Sequence, residues 1–488
     1  MTLRELTADL RPLQLVGDMD IEIKDIQFDS RKVTAGSLFV ATRGTAVDGH
    51  DFIPAALQSG AAAVVCEQLP EDTGKAAFVL VRNSQQALGL LASRWFGLPS
   101  GQLTLVGVTG TNGKTTIATL LYKLVRALGH KAGLLSTVCN YIEDTPVPAT
   151  HTTPDALELN GLLRRMVDAG CEYCFMEVSS HAVAQERIAG LDFNGALFTN
   201  LTRDHIDFHK TFDNYRDTKK RFFDELKAEA LVAGGASVHT FAVTNKDDKN
   251  GIVMVQNTKA DIHTYSTRSL ADYQGMILEE GFDGMLLAIN RREVFVPLVG
   301  RFNASNLLCI YGAAVCLGFN SDDVLRVLST LQPVNGRFEA VRSPKGWTAI
   351  VDYAHTPDAV ENVINTINEI RRGKLITVVG CGGNRDKGKR PMMAQIAKRG
   401  SDQLILTSDN PRDEEPADIL RDMAAGLTDD ELRSTLIIED RASAIKTACL
   451  IAQNDDVILI AGKGHEDYQI IKGVKHHFDD HEEVRKYV

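Results

Sequence analysis

An α/β fold with three domains is predicted from the length of the chain and from the order of its apolar segments. The chain has 488 residues, and about 150 residues per domain favours three domains. Short apolar runs alternate with helical stretches, which is typical of parallel sheets covered by helices. With 44% hydrophobic and 24% charged residues, the chain is predicted to be globular, which excludes disordered and fibrous proteins.

The first domain is predicted to span residues 1–98. Apolar strands at 37–41 and 62–66 precede a helical stretch at 85–95. The sequence Leu-Pro-Ser-Gly that ends at Gly101 has the composition of a linker. The first domain boundary is therefore expected next to this linker.

The central domain is predicted to span residues 99–332. It opens with a buried-strand pattern at 103–108, a glycine-rich loop, and a helix that shows one apolar face up to Gly129. This order indicates a P-loop domain built on a parallel sheet. Two further strands and two helices are predicted at 173–178, 195–199, 303–317 and 322–331.

The third domain is predicted to span residues 333–488, after a second linker at 333–336. Apolar strands alternate with helical stretches, which implies a mostly parallel, Rossmann-like sheet. The predicted strands lie at 375–379, 403–407 and 457–461, and a charged or glycine-bearing loop follows each one. Such loops emerge at one edge of an open sheet, where ligands bind.

The charge balance and the cysteines indicate the class of partner and the compartment. Lys and Arg number 53 against 64 Asp and Glu, a net charge of -11, which argues against a nucleic-acid partner. The chain starts without a signal-type apolar core, and no run approaches the about 18 apolar residues of a membrane span. Eight scattered cysteines suit reduced thiols, and Cys171 and Cys174 are expected in the core. A cytoplasmic protein without membrane insertion is predicted.

The glycine-rich loop lies between a strand and a helix, where backbone N–H groups and a lysine together hold a polyphosphate. Lys114 is expected on the β and γ phosphates of ATP, and Thr115 on Mg²⁺. Val108 stands where the consensus loop has glycine, so the loop is a variant. A glycine turn that only packs the helix leaves the lysine and the two threonines unexplained. The predicted ATP contacts are Gly110, Thr111, Asn112, Gly113, Lys114, Thr115 and Thr116.

Six motifs in chain order resemble those of the Mur ligases of peptidoglycan synthesis. They are TGTNGKTT from residue 109, MEVSSH from 176, TNLTRDHIDFH from 199, RFNASN from 301, GRFE from 336 and DYAHTP from 352. The resemblance covers nearly the whole chain. It implies ATP-dependent amide-bond formation between a UDP-linked muramoyl peptide and an incoming amino acid.

The resemblance also implies residue roles at the catalytic centre. Glu177 and His205 are expected to bind Mg²⁺ together with Thr115, and Lys219 matches a lysine that CO₂ converts into a carbamate ligand. Lys220 adjoins it, and this leaves the register open. The expected catalytic residues are Lys114, Glu177, His205 and Lys219. Asn306, Arg337 and Asp352 match further ATP-binding positions.

Two other groups of positions match the family's site for the UDP-linked substrate. Polar loops in the first domain suit the nucleotide-sugar end, where the expected contacts are Ser30, Thr45, Ala46 and Val47. Polar residues of the central domain suit the muramoyl peptide, and Arg187 suits one of its anionic groups. The expected contacts there are His151, Thr152, Thr153, Ser179, Gln185 and Arg187.

The sequence Asp-Asn-Pro-Arg that ends at Arg412 resembles the signature of diaminopimelate-adding members. meso-Diaminopimelate carries a distal carboxylate that lysine lacks, and a guanidinium grips such a group in a bidentate manner. Asp409 and Glu466 are expected to meet the distal ammonium. The full set of expected contacts is Arg385, Asp409, Asn410, Pro411, Arg412, Gly462 and Glu466.

The expected function is therefore addition of meso-2,6-diaminopimelate to UDP-N-acetylmuramoyl-L-alanyl-D-glutamate by a monomer that acts on small molecules. A lysine-adding Mur ligase is an alternative. A nucleotide-gated protein that hydrolyses ATP to change partners is a second one, from another class. Folate polyglutamate ligases share the loop, but they have no evident use for the first domain.

Overall fold

The computed structural model describes residues 1–44, 47–71 and 73–488. Each of the three main sheets is mostly parallel and carries helices, so the predicted α/β class is confirmed. The domain boundaries at 98 and 332 stay predictions. Thr45 and Ala46, expected at the nucleotide-sugar end, lie outside the described residues. Within the described part, no helix has the length and apolar character needed to cross a membrane.

The first sheet has the strand order β1-β5-β4-β3-β2, with β1 antiparallel to its neighbour and the others parallel. The strands predicted at 37–41 and 62–66 are β3 and β4, and both are fully buried. In chain order the elements are α1 Leu3–Leu6, β1 Gln14–Val16, β2 Asp25–Gln27, β3 Ser37–Val40, α2 Ile53–Gln58, β4 Ala63–Cys66, β5 Ala77–Leu80 and α3 Ser84–Trp95.

The predicted linker after this sheet is a packed 3-10 helix, Pro99–Gln102, in which Pro99 and Ser100 are buried. The central sheet follows it. Its elements are β6 Thr104–Thr109, α4 Lys114–Ala127, β7 Ala132–Leu135, β8 Asn140–Ile142, β9 Thr145–Val147, α5 Ala156–Asp168, β10 Tyr173–Glu177, α6 Ser180–Ala184, β11 Gly195–Phe198, α7 Ile206–His209, α8 Phe212–Asp224, β12 Glu229–Leu231, β13 Ser237–His239, β14 Phe241–Asn245, α9 Gly251–Met254, β15 Asp261–Ser266, β16 Tyr273–Gly281, β17 Gly284–Ile289, β18 Arg292–Val296, α10 Arg301–Cys316 and α11 Ser321–Leu328.

Strand β6 lies inside the central sheet, between β10 and β11, and is parallel to both. Its side chains alternate between two cores, with Val106 and Val108 on the face of α4 and Leu105 on the opposite face. Burial on both faces explains the continuous apolar run in the sequence. Cys171 and Cys174 lie in the core as predicted. The P-loop therefore begins at the end of a strand that is buried on both faces.

The antiparallel extension β16–β18 was not predicted from the sequence. Its strands carry many polar residues because one face is exposed. The turn between β17 and β18 consists of Asn290 and Arg291, both with positive φ. A hairpin turn of this kind usually has glycine as its second residue, and arginine there hides the signal.

The third sheet has the strand order β19-β20-β24-β21-β22-β23, parallel except for β19. Its three predicted strands are confirmed as β21, β22 and β24. The elements are β19 Glu339–Arg342, β20 Thr348–Asp352, α12 Pro357–Ile370, β21 Leu375–Val379, α13 Lys389–Gly400, β22 Gln403–Leu406, α14 Pro416–Ala424, α15 Asp429–Arg433, β23 Thr435–Ile437, α16 Arg441–Ile451, β24 Val457–Ala461, β25 Tyr468–Ile471, β26 Val474–His477 and α17 Asp480–Arg485.

A fully buried ion pair joins α16 to α17 behind this sheet. The guanidinium of Arg441 donates from Nε and Nη2 to the two carboxylate oxygens of Asp480, each at 2.7 Å. The same guanidinium donates to the carbonyls of Ser408 and Ala461, at the ends of β22 and β24. It thereby ties α17 to the sheet edge from which the ligand loops leave.

Asp480→Ala is expected to destabilise the third domain by about 3 to 5 kcal/mol, because a buried guanidinium would lose its counter-charge. Urea unfolding followed by circular dichroism measures the change. Asp418→Ala, in the exposed Arg421–Asp418 pair, is the matched control and should change stability by about 0.5 kcal/mol or less. Equal effects of the two substitutions would contradict the role given to the buried pair.

Candidate active site

A cavity of about 850 Å³ lies between the loops of the central and third sheets. Most of the residues predicted for the site line it together. They are Thr111, Asn112, Gly113, Lys114, Thr115, Thr116, His151, Thr152, Thr153, Glu177, Ser179, Arg187, His205, Lys219, Arg337, Arg385, Asp409, Asn410, Arg412, Gly462 and Glu466. The predicted residues outside the described lining are Ser30, Val47, Gly110, Gln185, Asn306, Asp352 and Pro411.

Close contacts with neighbouring side chains require glycine at two positions of the P-loop. Gly110 has φ +149, and a Cβ there would lie 1.8 Å from Thr199 Oγ1. Gly113 has φ +90, and its Cβ would lie 2.6 Å from Asn306 Oδ1. Only glycine fits such positions without displacing a neighbour. Asn306 thus packs behind the loop.

The half-buried Lys114 and the buried Lys219 meet inside the loop. Lys114 Nζ donates to the carbonyls of Gly110 at 2.9 Å and Thr111 at 2.7 Å. Lys219 Nζ donates to the same Gly110 carbonyl at 2.9 Å. Burial lowers the pKa of both amines, that of Lys219 strongly, and the charge of Lys114 lowers the pKa of Lys219 further. Both cations would be stabilised by an anion that enters the cavity.

The two adjacent lysines of helix α8 lie in different environments. The side chain of Lys219 is buried beside the loop, 5.0 Å from the ring centre of Tyr215. Lys220 points away and forms an ion pair with Asp224, with a shortest distance of 2.5 Å. Lys219 is therefore the lysine of this pair that lines the cavity.

Two of the expected metal ligands, Glu177 and His205, lie at the end of β10 and at the start of α7. Glu177 ends β10, is buried, and accepts a hydrogen bond from Thr137 N at 2.7 Å. His205 follows β11 with a left-handed backbone, φ 54. Desolvation by the walls of the cavity lowers the pKa of its imidazole to about 4, although 44% of the side chain is exposed and Asp204 at 3.3 Å opposes the shift. The ring is therefore neutral at pH 7, as a metal ligand requires.

The third sheet reaches across the cavity to the P-loop. Arg337 Nη2 donates to Thr115 Oγ1 at 3.2 Å, and its guanidinium stacks 4.5 Å from the ring centre of Tyr353. Asn112 Nδ2 donates to Asp358 Oδ2 at 2.8 Å, at the start of α12. These contacts place a cation of the third domain beside the first turn of α4.

Asp352 is buried at the end of β20, and each of its carboxylate oxygens already accepts a backbone N–H. The donors are Phe338 and Ala354, both at 2.7 Å. Burial raises the pKa of this carboxyl group. In this structure Asp352 shapes the turn that presents Arg337, and its expected contact with ATP stays a prediction.

The third sheet forms a charged pocket at one end of the cavity. Arg412 has φ 54 and donates from Nη1 to the Gly383 carbonyl at 2.7 Å. Asn410 Nδ2 donates to Glu466 Oε2 at 2.7 Å. A Cβ at Gly382 would lie 2.8 Å from Arg412 Nη1, so the glycine makes room for the guanidinium. The predicted set after β22 and β24 is thus brought together.

A clamp of charges holds the two loops that carry Arg385 and Arg412. Glu414 accepts from Nη1 and Nη2 of the buried Arg390, at 3.0 and 2.9 Å, and from Asn384 N at 2.6 Å. Arg390 also pairs with Asp422 at 2.8 Å. Neither Arg390 nor Glu414 was singled out from the sequence, because the sequence alone does not distinguish a buried ion pair from one on the surface.

Comparison with protein families agrees with this geometry. Residues 108–314 match the Mur ligase middle domain, 336–464 the glutamate ligase domain of Mur ligases, and 22–96 the catalytic domain of the Mur ligase family. The chain belongs to the Mur ligase family. The prediction made from the six motifs is therefore confirmed.

Similar proteins cover this Mur ligase from end to end. UDP-N-acetylmuramoyl-L-alanyl-D-glutamate--2,6-diaminopimelate ligase of Parabacteroides distasonis is 61% identical over 100% of this chain and 99% of its own. The enzyme of the same name from Bacteroides thetaiotaomicron is 57% identical with the same coverage. A solved structure of a ligase with this name is 33% identical, with a TM-score of 0.69 over 100% of this chain and 98% of that one.

Four of the six positions expected to hold the muramoyl peptide are hydrogen-bonded to one another, namely Thr153, Ser179, Gln185 and Arg187. Thr153 Oγ1 donates to the Glu177 carbonyl at 2.8 Å, and Arg187 Nη1 donates to the Thr153 carbonyl at 2.6 Å. Gln185 lies outside the described lining and accepts two bonds from Arg187 through Oε1. Gln185 therefore orients the arginine.

The nucleotide-sugar positions lie elsewhere in the Mur ligase. Ser30 begins a 3-10 helix, Ser30–Lys32, and the side chain of Val47 is exposed. No described residue of the first sheet lines the cavity. Their expected roles stay predictions.

Two cavity residues of the Mur ligase, His181 and Asp204, were quoted in the motifs but given no role. The His181 ring lies 4.8 Å from that of His205, and Asp204 contacts His205. Lys463, in the predicted loop after β24, contacts Asp409 behind the charged pocket. Only the tertiary structure shows that these three residues contact predicted site residues, because the sequence does not show which loops meet.

Gly110→Ala is expected to weaken ADP binding about tenfold or more, because the new Cβ would collide with Thr199 and displace the loop. Titration calorimetry measures the Kd. Gly129→Ala at the other end of α4 is the control, since its φ is also positive but nothing lies within 4 Å. It should cost about 1 to 2 kcal/mol of stability and leave the Kd unchanged. Unchanged ADP binding by Gly110→Ala would contradict the prediction.

Proposed function

We propose that this Mur ligase joins meso-2,6-diaminopimelate to UDP-N-acetylmuramoyl-L-alanyl-D-glutamate, with ATP converted to ADP and phosphate. The observation that carries the proposal is the pocket of Arg412, Asp409 and Glu466, which opens on the same cavity as the P-loop. The names of relatives up to 61% identical support the same substrates. We place the reaction in the cytoplasm and in a monomer. The eight free cysteines agree with a reducing compartment.

The reaction has two steps. The carboxylate of the UDP-linked dipeptide attacks the γ phosphorus of ATP, which forms an acyl phosphate and releases ADP. The amine of the diamino acid then attacks the acyl carbon, inorganic phosphate leaves, and the nitrogen loses a proton. Both steps develop negative charge on phosphoryl oxygens, so preorganised cations and N–H donors lower the barriers.

Three groups of this chain suit that charge. The N-terminus of α4 offers backbone N–H groups, Lys114 lies at its first residue, and Arg337 lies against Thr115. We propose that the ATP phosphates replace the carbonyls of Gly110 and Thr111 as partners of Lys114. Arg337 then joins the third domain to the same phosphates.

The donor set fits Mg²⁺ when ATP phosphates complete it. No group of three or more His, Cys, Asp or Glu able to hold a metal occurs among the described residues, and Mg²⁺ commonly uses one or two carboxylates plus phosphates and waters. Thr115, Glu177 and His205 are the proposed ligands. The ion would neutralise phosphate charge and orient the γ-phosphoryl group.

Lys219 as an ammonium would repel Mg²⁺, but its environment favours the neutral amine. Burial and the charge of Lys114 lower its pKa far below the ordinary value. A neutral amine adds to CO₂ and loses one proton, which gives a carbamate anion. We propose that this carbamate is the fourth ligand from the chain, as the resemblance implies.

The charged pocket accounts for the choice of amino acid. Arg412 is proposed to hold the distal carboxylate of diaminopimelate with help from Arg385, while Asp409 and Glu466 meet the distal ammonium. L-Lysine would leave Arg412 without its anionic partner. The loss of a charged hydrogen bond costs about 1.5 to 3 kcal/mol, roughly ten- to a hundredfold in affinity. The lysine-adding alternative is therefore not favoured.

Arg412→Met is expected to raise the KM for meso-diaminopimelate about ten- to a hundredfold, with little change for L-lysine. ADP release in the presence of ATP, the UDP-dipeptide and each amino acid measures both. Arg421→Met, which removes an exposed arginine of the same domain, is the control. Faster turnover of L-lysine by the unchanged enzyme would contradict the proposal, and ADP release indifferent to amino acids would favour the nucleotide-gated alternative.

Lys219→Ala is expected to lower kcat about a hundredfold or more, and added short-chain carboxylic acids should restore part of it by supplying the missing anion. Lys220→Ala is the matched control, because that side chain pairs with Asp224 outside the cavity. The unchanged rate of Lys219→Ala, or its loss without any rescue, would contradict the carbamate proposal.

A further inference from the structure

A fully buried lysine lies directly behind the charged pocket. Lys463 follows β24, has no exposed surface, and does not line the cavity. Its Nζ lies 3.3 Å from Asp409 Oδ1, 3.3 Å from Asn410 Oδ1 and 3.6 Å from Glu466 Oε2. One ammonium thus contacts three residues proposed to hold the amino acid.

The balance of charge in this pocket requires a cation. Asp409 and Glu466 are two largely buried carboxylates that share the Lys463 ammonium as a partner, and like charges disfavour one another in a buried site. Arg441 lies nearby but is engaged by both oxygens of Asp480. Arg412 donates to the Gly383 carbonyl. Within the described residues, the Lys463 ammonium is the cation in direct contact with both carboxylates.

We propose that Lys463 is a positioning residue that keeps the carboxylates of Asp409 and Glu466 ionised and oriented for the distal ammonium of the incoming diamino acid. The inference rests on the proposed function. It concerns the ammonium that lysine and diaminopimelate share, and so it is independent of the role of Arg412.

The electrostatics of the two carboxylates agree with this role. Burial acts to raise the pKa of Asp409, but Lys463 and Arg441 outweigh it, so the pKa lies below the ordinary value. Burial and the charge of Asp409 raise the pKa of Glu466, and Lys463 opposes the rise. Without Lys463 one proton would be retained by the pair, and a protonated carboxyl group attracts an ammonium only weakly.

The test uses Lys463→Met in the full-length enzyme. Its KM for meso-diaminopimelate should rise about tenfold near pH 7, while the KM values for ATP and the UDP-dipeptide stay within about twofold. The KM of Lys463→Met for the diamino acid should decrease as the pH is raised from about 6.5 to 8.5, because the carboxylates ionise as pH rises. Among the described residues, the charged and titratable groups that face this site are Tyr353, Cys381, Asp409, Arg412, Arg441, Glu466 and Tyr468.

Two further variants separate positioning from stability. Lys463→Gln keeps an amide donor but removes the charge, and it should show the same pH dependence. Lys486→Met removes an exposed lysine that pairs with Glu483 in the same domain, and it should change no KM. Equal rises in all three KM values, or a KM for the diamino acid that does not depend on pH in the charge-removing variants, would overturn the proposal.

A measurement on the unchanged enzyme covers the case in which the variants fail to fold. Its KM for the diamino acid should be nearly constant between about pH 6.5 and 8.5, since Lys463 keeps both carboxylates ionised, and a steep rise on acidification would overturn the inference. Should the unchanged enzyme use L-lysine instead, the proposed function fails. The role of Lys463 is then tested with L-lysine in the same assays.

Discussion

The central constraint on this structure is the carbonyl oxygen of Gly110, to which the half-buried Lys114 and the buried Lys219 both donate. Neither Lys114 nor Lys219 has a carboxylate among these hydrogen-bond partners. Burial disfavours both charges, and each cation disfavours the other. In the proposed reaction, the phosphates of ATP would stabilise the charge of Lys114, and carbamylation would turn Lys219 into an anion. The unfavourable desolvation and mutual repulsion of the two amines therefore favour the phosphate binding and the carbamylation that are proposed for this site.

The parallel sheets determine which residues share the cavity. Strand β6 is enclosed on both faces, so the loop at its carboxyl end is held by the core below it. The loops after β20, β21, β22 and β24 leave the third sheet at one edge and face this loop. Arg337 and Asp358 make the connection by contacts with Thr115 and Asn112. A nucleotide bound at α4 therefore contacts both sheets.

The charged pocket is supported by layers of buried ions. Arg412 and Asp409 face the cavity, Lys463 lies behind them, and the Arg390–Glu414 and Arg441–Asp480 pairs hold the surrounding loops. Buried pairs add little net stability because their desolvation is costly. Their value here is geometric, since they fix the guanidinium and the carboxylates that are proposed to choose the amino acid.

The sequence by itself determined the family, the α/β class and nearly half of the residues that line the cavity. The glycines, lysines and charged residues of the motifs follow predicted strands in a fixed order along the chain, and this order can be recognised without a structure. It did not reveal the β16–β18 extension, because arginine occupies a turn position where glycine would signal a hairpin. Only the tertiary structure distinguished Lys219 from Lys220 and assigned partners to Lys463, Arg390 and Asp352. These assignments depend on burial and on contacts between residues far apart in the chain, which local sequence patterns do not encode.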